Sequence, residues 1–267
     1  MLANPLLGKR RKDHGDRGRF EAVFVVTFGR SGSTLAQGLL NTLPATVVRG
    51  ENNLFVLSLF RAQAAAESFR AIHLKHDTDR ASSAFFGLDL VVPDAFVRAA
   101  RDLLTEVLLG PEDPREIDRI GFKEVLWHKI KSAEAESFFA FLDDVFPGAK
   151  YVLNQRAHDD VATSGFWRSQ DDEEVRTSIA RVEDIQGFLR ETRPDRVFDM
   201  RYERVTSTDR AESDAELRAL ATFVLGSCSD ELLVQLRATL ATGHGPRPFG
   251  KSRRRDARRA KSADTTP

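Results

Sequence analysis

The stretch AVFVVTFGRSGSTLAQGLL, from Ala22 to Leu40, joins an apolar run to a glycine-containing turn and then to apolar residues at helical spacing. An uninterrupted run rich in valine and phenylalanine is typical of a strand buried on both faces of a parallel sheet. Strand, turn and helix in this order bring consecutive backbone N–H groups and the positive end of a helix to one point, where anions bind. The stretch therefore predicts an anion-binding loop from Gly29 to Thr34.

Four more apolar segments are predicted to be strands, and helical patterns alternate with them along the chain. The strand segments are 45–48, 120–127, 149–156 and 196–202, and the helical ones 54–71, 93–109, 133–145, 173–191, 215–225 and 229–241. Strands that alternate with helices favour an α/β fold, with a mostly parallel central sheet flanked by helices and ligands at the carboxyl ends of the strands. The irregular segment 73–93 is interpreted as a substrate-facing insertion.

The composition is that of an ordinary globular protein. Hydrophobic residues make up 41% of the 267 residues, and 40 basic residues balance 40 acidic ones, so net charge indicates no nucleic-acid partner. No segment approaches the roughly 20 apolar residues of a membrane span, and the N-terminus lacks a secretory signal pattern, so we expect a cytoplasmic protein. Cys228 is the single cysteine, which excludes an intrachain disulfide, and no metal is predicted because the six histidines show no metal spacing.

Basic residues are concentrated near both ends of the chain, in 9–19 and 251–261. Such runs are usually solvated ends, although an arm that attracts an anionic ligand is the alternative. We therefore expect a basic extension over 1–20, one α/β domain over 21–245 and a flexible basic tail over 246–267.

The loop differs from that of the nucleotide triphosphatases in its charge. There a lysine follows the second glycine and reaches the phosphates. Here Gly32 is followed by Ser33 and Thr34, and Arg30 supplies the charge from earlier in the turn. This arrangement suits a smaller terminal anion that is transferred without a metal clamp, although a turn without a ligand is the alternative.

With Arg30 inside the turn, GRSGSTL resembles the 5′-phosphosulfate loop of the sulfotransferases that use 3′-phosphoadenosine 5′-phosphosulfate (PAPS). The resemblance implies a P-loop-like nucleotide-binding architecture. It also implies contacts to PAPS from the loop residues Gly29, Arg30, Ser31, Gly32, Ser33 and Thr34.

A second segment, FPGAKYVLNQRAHDDVATSGFW, resembles the 3′-phosphate segment of the same family. Arg156 ends a strand and Ser164 follows eight residues later, so the resemblance implies that both bind the 3′-phosphate. A surface arginine and a serine bonded to its own helix are the alternatives. Trp167 could stack on the adenine, but core packing is the more frequent fate of such a residue. RYERVTS, at 201–207, looks like the last-strand segment of the family, whereas the C-terminal basic loop of the family is matched poorly, by 247–255.

The implied activity is transfer of a sulfuryl group from PAPS to a hydroxyl acceptor. Glu51 lies twenty-one residues after Arg30, similar to the catalytic glutamate of the protein-tyrosine and heparan branches, and would be the base. Its alternatives are a helix cap or an ion pair with Arg49. Lys123 lies where a lysine of the cytosolic branch contacts the transferred group, unless it pairs with its neighbour Glu124. Such a pair is the preferred interpretation of Glu124, and Glu124 and His128 are the next candidate bases after Glu51.

The acceptor class left by the sequence is a carbohydrate, a glycolipid or a small metabolite. Two other functions compete. A P-loop kinase or triphosphatase would require the loop lysine, and a nucleotide-binding protein without catalysis would keep every anion contact while Glu51 only caps a helix.

Overall fold

The structure is a computed structural model that describes residues 19–157 and 172–242. Five strands lie in these ranges: β1 (Glu21–Val26), β2 (Thr46–Arg49), β3 (Arg119–Glu124), β4 (Lys150–Gln155) and β5 (Val197–Arg201). The helices are α1 (Ser33–Leu40), α2 (Phe55–His73), α3 (Pro93–Leu109), α4 (Ser132–Val145), α5 (Asp172–Thr192), α6 (Tyr202–Val205), α7 (Arg210–Leu225) and α8 (Asp230–Thr242). Ser164, Trp167 and both basic ends of the chain lie outside the described residues.

The strands form one parallel sheet with the order β2-β3-β1-β4-β5. The chain first moves from β1 to one side of the sheet, through β2 and β3, and then crosses to the other side for β4 and β5. In open parallel sheets, ligands bind outside the carboxyl ends of the strands at such a reversal. Here the reversal lies between β1 and β4.

Strand β1 is buried on both faces, as its apolar run predicts. Its side chains alternate between two core clusters: Phe24 and Val26 pack with α2, α3, α4 and α5, and Val23 and Val25 pack with α1, α7 and α8. This alternation follows from the two-residue period of a strand. The predicted parallel α/β fold is therefore confirmed, with helices on both faces of the sheet.

Aromatic rings from three adjacent strands meet in the first cluster. The ring centroid of Phe24 lies 4.8 Å from that of Phe122 on β3 and 5.9 Å from that of Tyr151 on β4. Gly121, the residue before Phe122 on β3, pairs with Val23 of β1. A Cβ atom at this glycine would stand 1.7 Å from the Val23 carbonyl oxygen. Close backbone approach therefore requires glycine in the middle of β3.

The third strand is shorter than its apolar pattern predicts. It ends at Glu124 because Val125 adopts a helical conformation, with φ −110° and ψ −9°, and a 3₁₀ turn follows over Leu126–Lys129. This turn directs the buried Trp127 into the core, where its indole N–H donates to the Val25 carbonyl at 3.1 Å. Apolar residues that follow a strand can therefore be buried in a turn, so an apolar run does not by itself mark where the strand ends.

Helix α7 begins five residues earlier than the sequence predicts, at Arg210. Asp209 caps it, since its carboxylate accepts a hydrogen bond from the N–H of Ala211 at 2.9 Å. In the described part of the chain, no single helix has the length and apolar character needed to cross a membrane, although α7 and α8 pass that test together as a pair bent by 116°.

Candidate active site

The candidate residues follow the ends of neighbouring strands along one edge of the sheet. Register pairs Val26 of β1 with Glu124 of β3 and with Leu153 of β4, so these strands end at similar levels. Parallel strands all present their carboxyl ends at the same edge. The loop after β1 therefore lies at the centre, with Glu51 on the β2 side and Arg156 on the β4 side.

The loop between β1 and α1 contains two residues in left-handed conformation, Arg30 with φ 68° and Gly32 with φ 80°. Gly32 is also the N-cap of α1 and has no side chain with which to cap the helix. The first N–H groups of α1 are consequently not satisfied by a capping side chain, which is the arrangement that anions use at helix N-termini.

The hydroxyl group of Ser31 faces the protein interior. It donates to the Phe28 carbonyl at 2.7 Å and lies 2.6 Å from the hydroxyl of Thr27. The side-chain amide of Asn154 donates to the Ser31 carbonyl and to the Ser31 hydroxyl, each at 3.0 Å. These three polar side chains are fully buried. The Ser31 hydroxyl therefore holds the turn in shape, and only its main chain remains for the ligand contact that the sequence predicts.

Arg156 lies beside the loop. One terminal nitrogen of its guanidinium, Nη1, donates to the Arg30 carbonyl at 3.4 Å, and the guanidinium stacks over the ring of Tyr202, 4.4 Å from its centroid. The next residue, Ala157, donates its N–H to the Glu203 carboxylate at 2.8 Å. The two segments that resemble the family's nucleotide-binding motifs thus meet at one end of the sheet.

Tyr202 connects the two segments, and sequence reasoning missed it. Its ring packs on Gly32 so closely that a Cβ atom there would lie 2.2 Å from the ring atom Cδ2. The sequence predicted Tyr202 as the last residue of the strand at 196–202, but β5 ends at Arg201, so Tyr202 directly follows it at the carboxyl edge of the sheet. The ring therefore supports the Arg156 guanidinium while it covers the glycine of the loop.

Glu51 forms an ion pair with Lys123, with 2.5 Å between Oε1 and Nζ. The Glu51 side chain is 51% exposed and that of Lys123 is 7% exposed, so the carboxylate faces solvent and the ammonium group lies beneath it. Neither alternative for Glu51 is observed: Arg49 pairs with Glu112, at 3.2 Å, and α2 begins at an N-cap, Leu54, without a side-chain cap.

The predicted pair of Glu124 with Lys123 is wrong. Consecutive strand residues point to opposite faces, and Glu124 is fully buried with its carboxylate on main-chain N–H groups. It accepts from Asn52 at 3.0 Å and Leu54 at 2.8 Å through Oε2, and from Val125 at 2.8 Å and Leu126 at 3.2 Å through Oε1. The two-residue period of a strand already places Glu124 on the face opposite Lys123, but the N–H groups of Asn52 and Leu54 lie 72 and 70 positions away in sequence and could not be predicted as its partners.

His128 lies in the 3₁₀ turn after β3. Burial lowers the pKa of its imidazole, and a hydrogen bond with the Val125 main chain opposes that shift in part.

Cys228 is partly buried, and burial raises the pKa of its thiol. Within residues 19–157 and 172–242, no group of three or more His, Cys, Asp or Glu side chains could hold a metal ion.

Fold and site together define an α/β protein with a candidate anion-binding loop at the chain reversal of a parallel sheet and a second arginine beside it. The chain belongs to the sulfotransferase family, whose model matches residues 22–224. A comparison with curated proteins finds no match.

Two solved structures are similar to this chain at low sequence identity, and the first of them has the same α/β fold. One is the sulfotransferase domain of the olefin synthase of Synechococcus PCC 7002, with 18% identity over 92% of this chain and 86% of that chain and a TM-score of 0.50. The other is the sulfotransferase STF9 from Mycobacterium avium, with 14% identity, coverage of 93% and 77%, and a TM-score of 0.43.

Proposed function

We propose that the protein transfers the sulfuryl group of PAPS to a hydroxyl group and releases 3′,5′-adenosine bisphosphate. The observation that carries this proposal is the position of the Arg156 guanidinium beside the Arg30 carbonyl. Two donor segments that are 126 residues apart in sequence lie together at the carboxyl edge of the sheet. This is the arrangement that a nucleotide with an anionic group at each end needs.

The chain's residues fit both ends of such a nucleotide. The N–H groups at the start of α1 and the Arg30 side chain would hold the 5′-phosphosulfate, and Arg156, with Ser164, would hold the 3′-phosphate. When bound, PAPS supplies an activated sulfuryl group. The protein then has to hold donor and acceptor in line, take a proton and stabilise negative charge on the leaving oxygen.

Glu51 is the proposed base. Its exposed carboxylate would take the proton of the acceptor hydroxyl as the acceptor oxygen bonds to sulfur and the bond from sulfur to the bisphosphate oxygen breaks. Lys123 holds this carboxylate at 2.5 Å before the reaction. As the carboxylate becomes neutral, its attraction for Lys123 falls, and the ammonium group can stabilise charge on the transferred group. Arg30 does the same from the loop.

The acceptor proposed is a carbohydrate, a glycolipid or a small metabolite, bound near the segment between α2 and α3. We extend the proposal to a cytoplasmic protein, which the single cysteine supports because small secreted domains commonly carry disulfides. A P-loop kinase or triphosphatase is disfavoured because Ser33 stands where its loop lysine would follow the second glycine.

Ligand-dependent thermal unfolding separates these functions. A ligand that binds only the native state raises the Tm by mass action. We expect 3′,5′-adenosine bisphosphate to raise it and ATP with magnesium to leave it unchanged. The opposite preference would exclude a PAPS-dependent enzyme.

Two variants then divide binding from chemistry, with labelled PAPS and a panel of hydroxyl acceptors. Glu51→Gln should abolish turnover while the bisphosphate still raises the Tm, and Arg156→Ala should weaken the bisphosphate effect. Glu21→Gln is the matched control for the first, since Glu21 is 53% exposed and pairs with Arg119 at the opposite edge of the sheet. Full turnover by Glu51→Gln would assign the base elsewhere. A bisphosphate without effect on the wild type, or full binding by Arg156→Ala, would contradict the nucleotide site.

A further inference from the structure

We propose that Glu124 is a positioning residue, which holds the loop that carries Glu51 in the conformation needed for proton transfer. The proposal rests on the function proposed above. It assigns a role to a buried carboxylate whose hydrogen bonds, among the described residues, go to main-chain N–H groups outside both ligand segments.

The loop from Gly50 to Leu54 has an unfavourable backbone. Asn53 and Leu54 are consecutive residues with positive φ, 61° and 48°, and neither is glycine. Left-handed conformations are disfavoured for L residues, and they persist only where the surrounding structure holds them. Glu51 lies two residues before this pair, so its position depends on whatever keeps the loop in this shape.

The Glu124 carboxylate supplies that support. Oε2 accepts from the N–H groups of Asn52, at 3.0 Å, and Leu54, at 2.8 Å, which bracket the first of the two left-handed residues. The carboxylate is fully buried, so water does not compete for these hydrogen bonds. The Lys129 ammonium group adds a second contact to the loop at its exposed side, 2.7 Å from Asn53 Oδ1.

The same carboxylate also fixes the strand end that carries Lys123. Oε1 accepts from Val125 at 2.8 Å and Leu126 at 3.2 Å, the two residues with which the chain leaves β3. One buried group thus ties together the two backbone segments that bear Glu51 and Lys123. Glu124 thereby fixes the distance between these segments and with it the 2.5 Å contact between the Glu51 and Lys123 side chains.

A glutamine at this position keeps the shape and changes the chemistry. One of its two terminal atoms is an NH₂ group, which can only donate, so two of the four N–H groups would face a donor. We expect Glu124→Gln to lower kcat about 10- to 100-fold, which corresponds to roughly 1.4–2.8 kcal/mol in the barrier. The KM for PAPS and the Tm rise with bisphosphate should change less than twofold, because the loop after β1 and Arg156 are not touched.

Amide hydrogen exchange gives a readout that does not depend on activity. In Glu124→Gln, the amides of residues 52–54 should exchange at least tenfold faster, while those of 29–34 keep their wild-type rates. Glu134→Gln is the matched control, since its carboxylate also accepts a main-chain N–H, from Lys131 at 2.9 Å, but outside this loop. A merely stabilising role would lower the Tm in both variants and leave the kcat of the folded protein unchanged.

Glu124→Asp covers the case in which the glutamine variant does not fold. It keeps the charge and withdraws it by one methylene group, so kcat and amide exchange should both lie between the wild type and a released loop. Wild-type kcat in either variant, or fast exchange of the Asn52 and Leu54 amides in the wild type, would overturn the proposal. If the wild type does not transfer sulfuryl from PAPS, the proposed function is refuted. The amide exchange of residues 52–54 then still tests whether Glu124 holds the loop.

Discussion

Replacement of Gly32 by alanine tests whether the ring of Tyr202 couples the loop to Arg156. Gly32 has φ 80°, and an L residue in this conformation costs about 1–2 kcal/mol. For a domain of this size, that energy lowers the Tm by about 2–8 °C. The new Cβ would stand 2.2 Å and 2.4 Å from two carbon atoms of the ring.

The ring must therefore move by about 1 Å to reach ordinary contact at 3.4 Å or more. It carries the Arg156 guanidinium 4.4 Å above its centroid. A cation–π contact of this kind stabilises by about 0.5–2 kcal/mol. Its loss, without any other change, would weaken binding of 3′,5′-adenosine bisphosphate about 2- to 30-fold.

Gly148→Ala is the matched control for this prediction. Gly148 also has a positive φ, 78°, but among the described residues nothing lies within 4 Å of a Cβ atom placed there. Calorimetric titration should show weaker bisphosphate binding in Gly32→Ala and wild-type binding in Gly148→Ala, while the Tm falls in both. Equal affinity in the two variants would refute the coupling through Tyr202.

Three further predictions concern the core and the sheet. Gly121→Ala should abolish cooperative unfolding and soluble expression, because its Cβ would stand 1.7 Å from the Val23 carbonyl oxygen and separate β3 from β1. A stable variant would contradict this backbone contact. Tyr151→Phe should raise the urea midpoint by the equivalent of about 1–3 kcal/mol, because the buried hydroxyl has no hydrogen-bond partner among the described residues; a lower midpoint would reveal one. Burial lowers the pKa of His128, so the unfolded chain takes up a proton near its ordinary pKa of about 6.5 that the native protein does not bind. The free energy of unfolding therefore loses a contribution as pH falls from about 7 to 5, and His128→Gln should flatten that slope in urea titrations at several pH values; an unchanged slope would exclude this origin.

Much of the fold was predictable because the spacing of apolar residues along the chain indicates which segments are strands and which are helices. A five-stranded parallel sheet with both faces covered follows from apolar runs that alternate with helical patterns, and the observed strands overlap all five predicted ones. The order of the strands was not predictable, since it depends on how the whole chain packs. That order puts β2 beside β3, and it therefore brings Glu51 to Lys123 across 72 positions of sequence.

The geometry of the candidate site was predictable only where it depends on the local backbone. Gly32 could be identified because a turn before a helix favours glycine, whereas the left-handed Leu54 carries no such signal. Tyr202 and Glu124 act through contacts between segments distant in sequence, which a single chain does not reveal. Asn154 lies inside an apolar strand, and its role depends on Ser31, which it contacts in the loop after the neighbouring strand β1.

The contacts of Asn154 have one more consequence. Its amide joins the end of β4 to the turn after β1, and Arg156 follows only two residues later on the same chain. The two segments that are proposed to bind the nucleotide are therefore linked by a buried polar junction. Among the described residues of this edge, these contacts form on folding, so we expect the turn after β1 and Arg156 to bind a nucleotide with little further loss of conformational entropy.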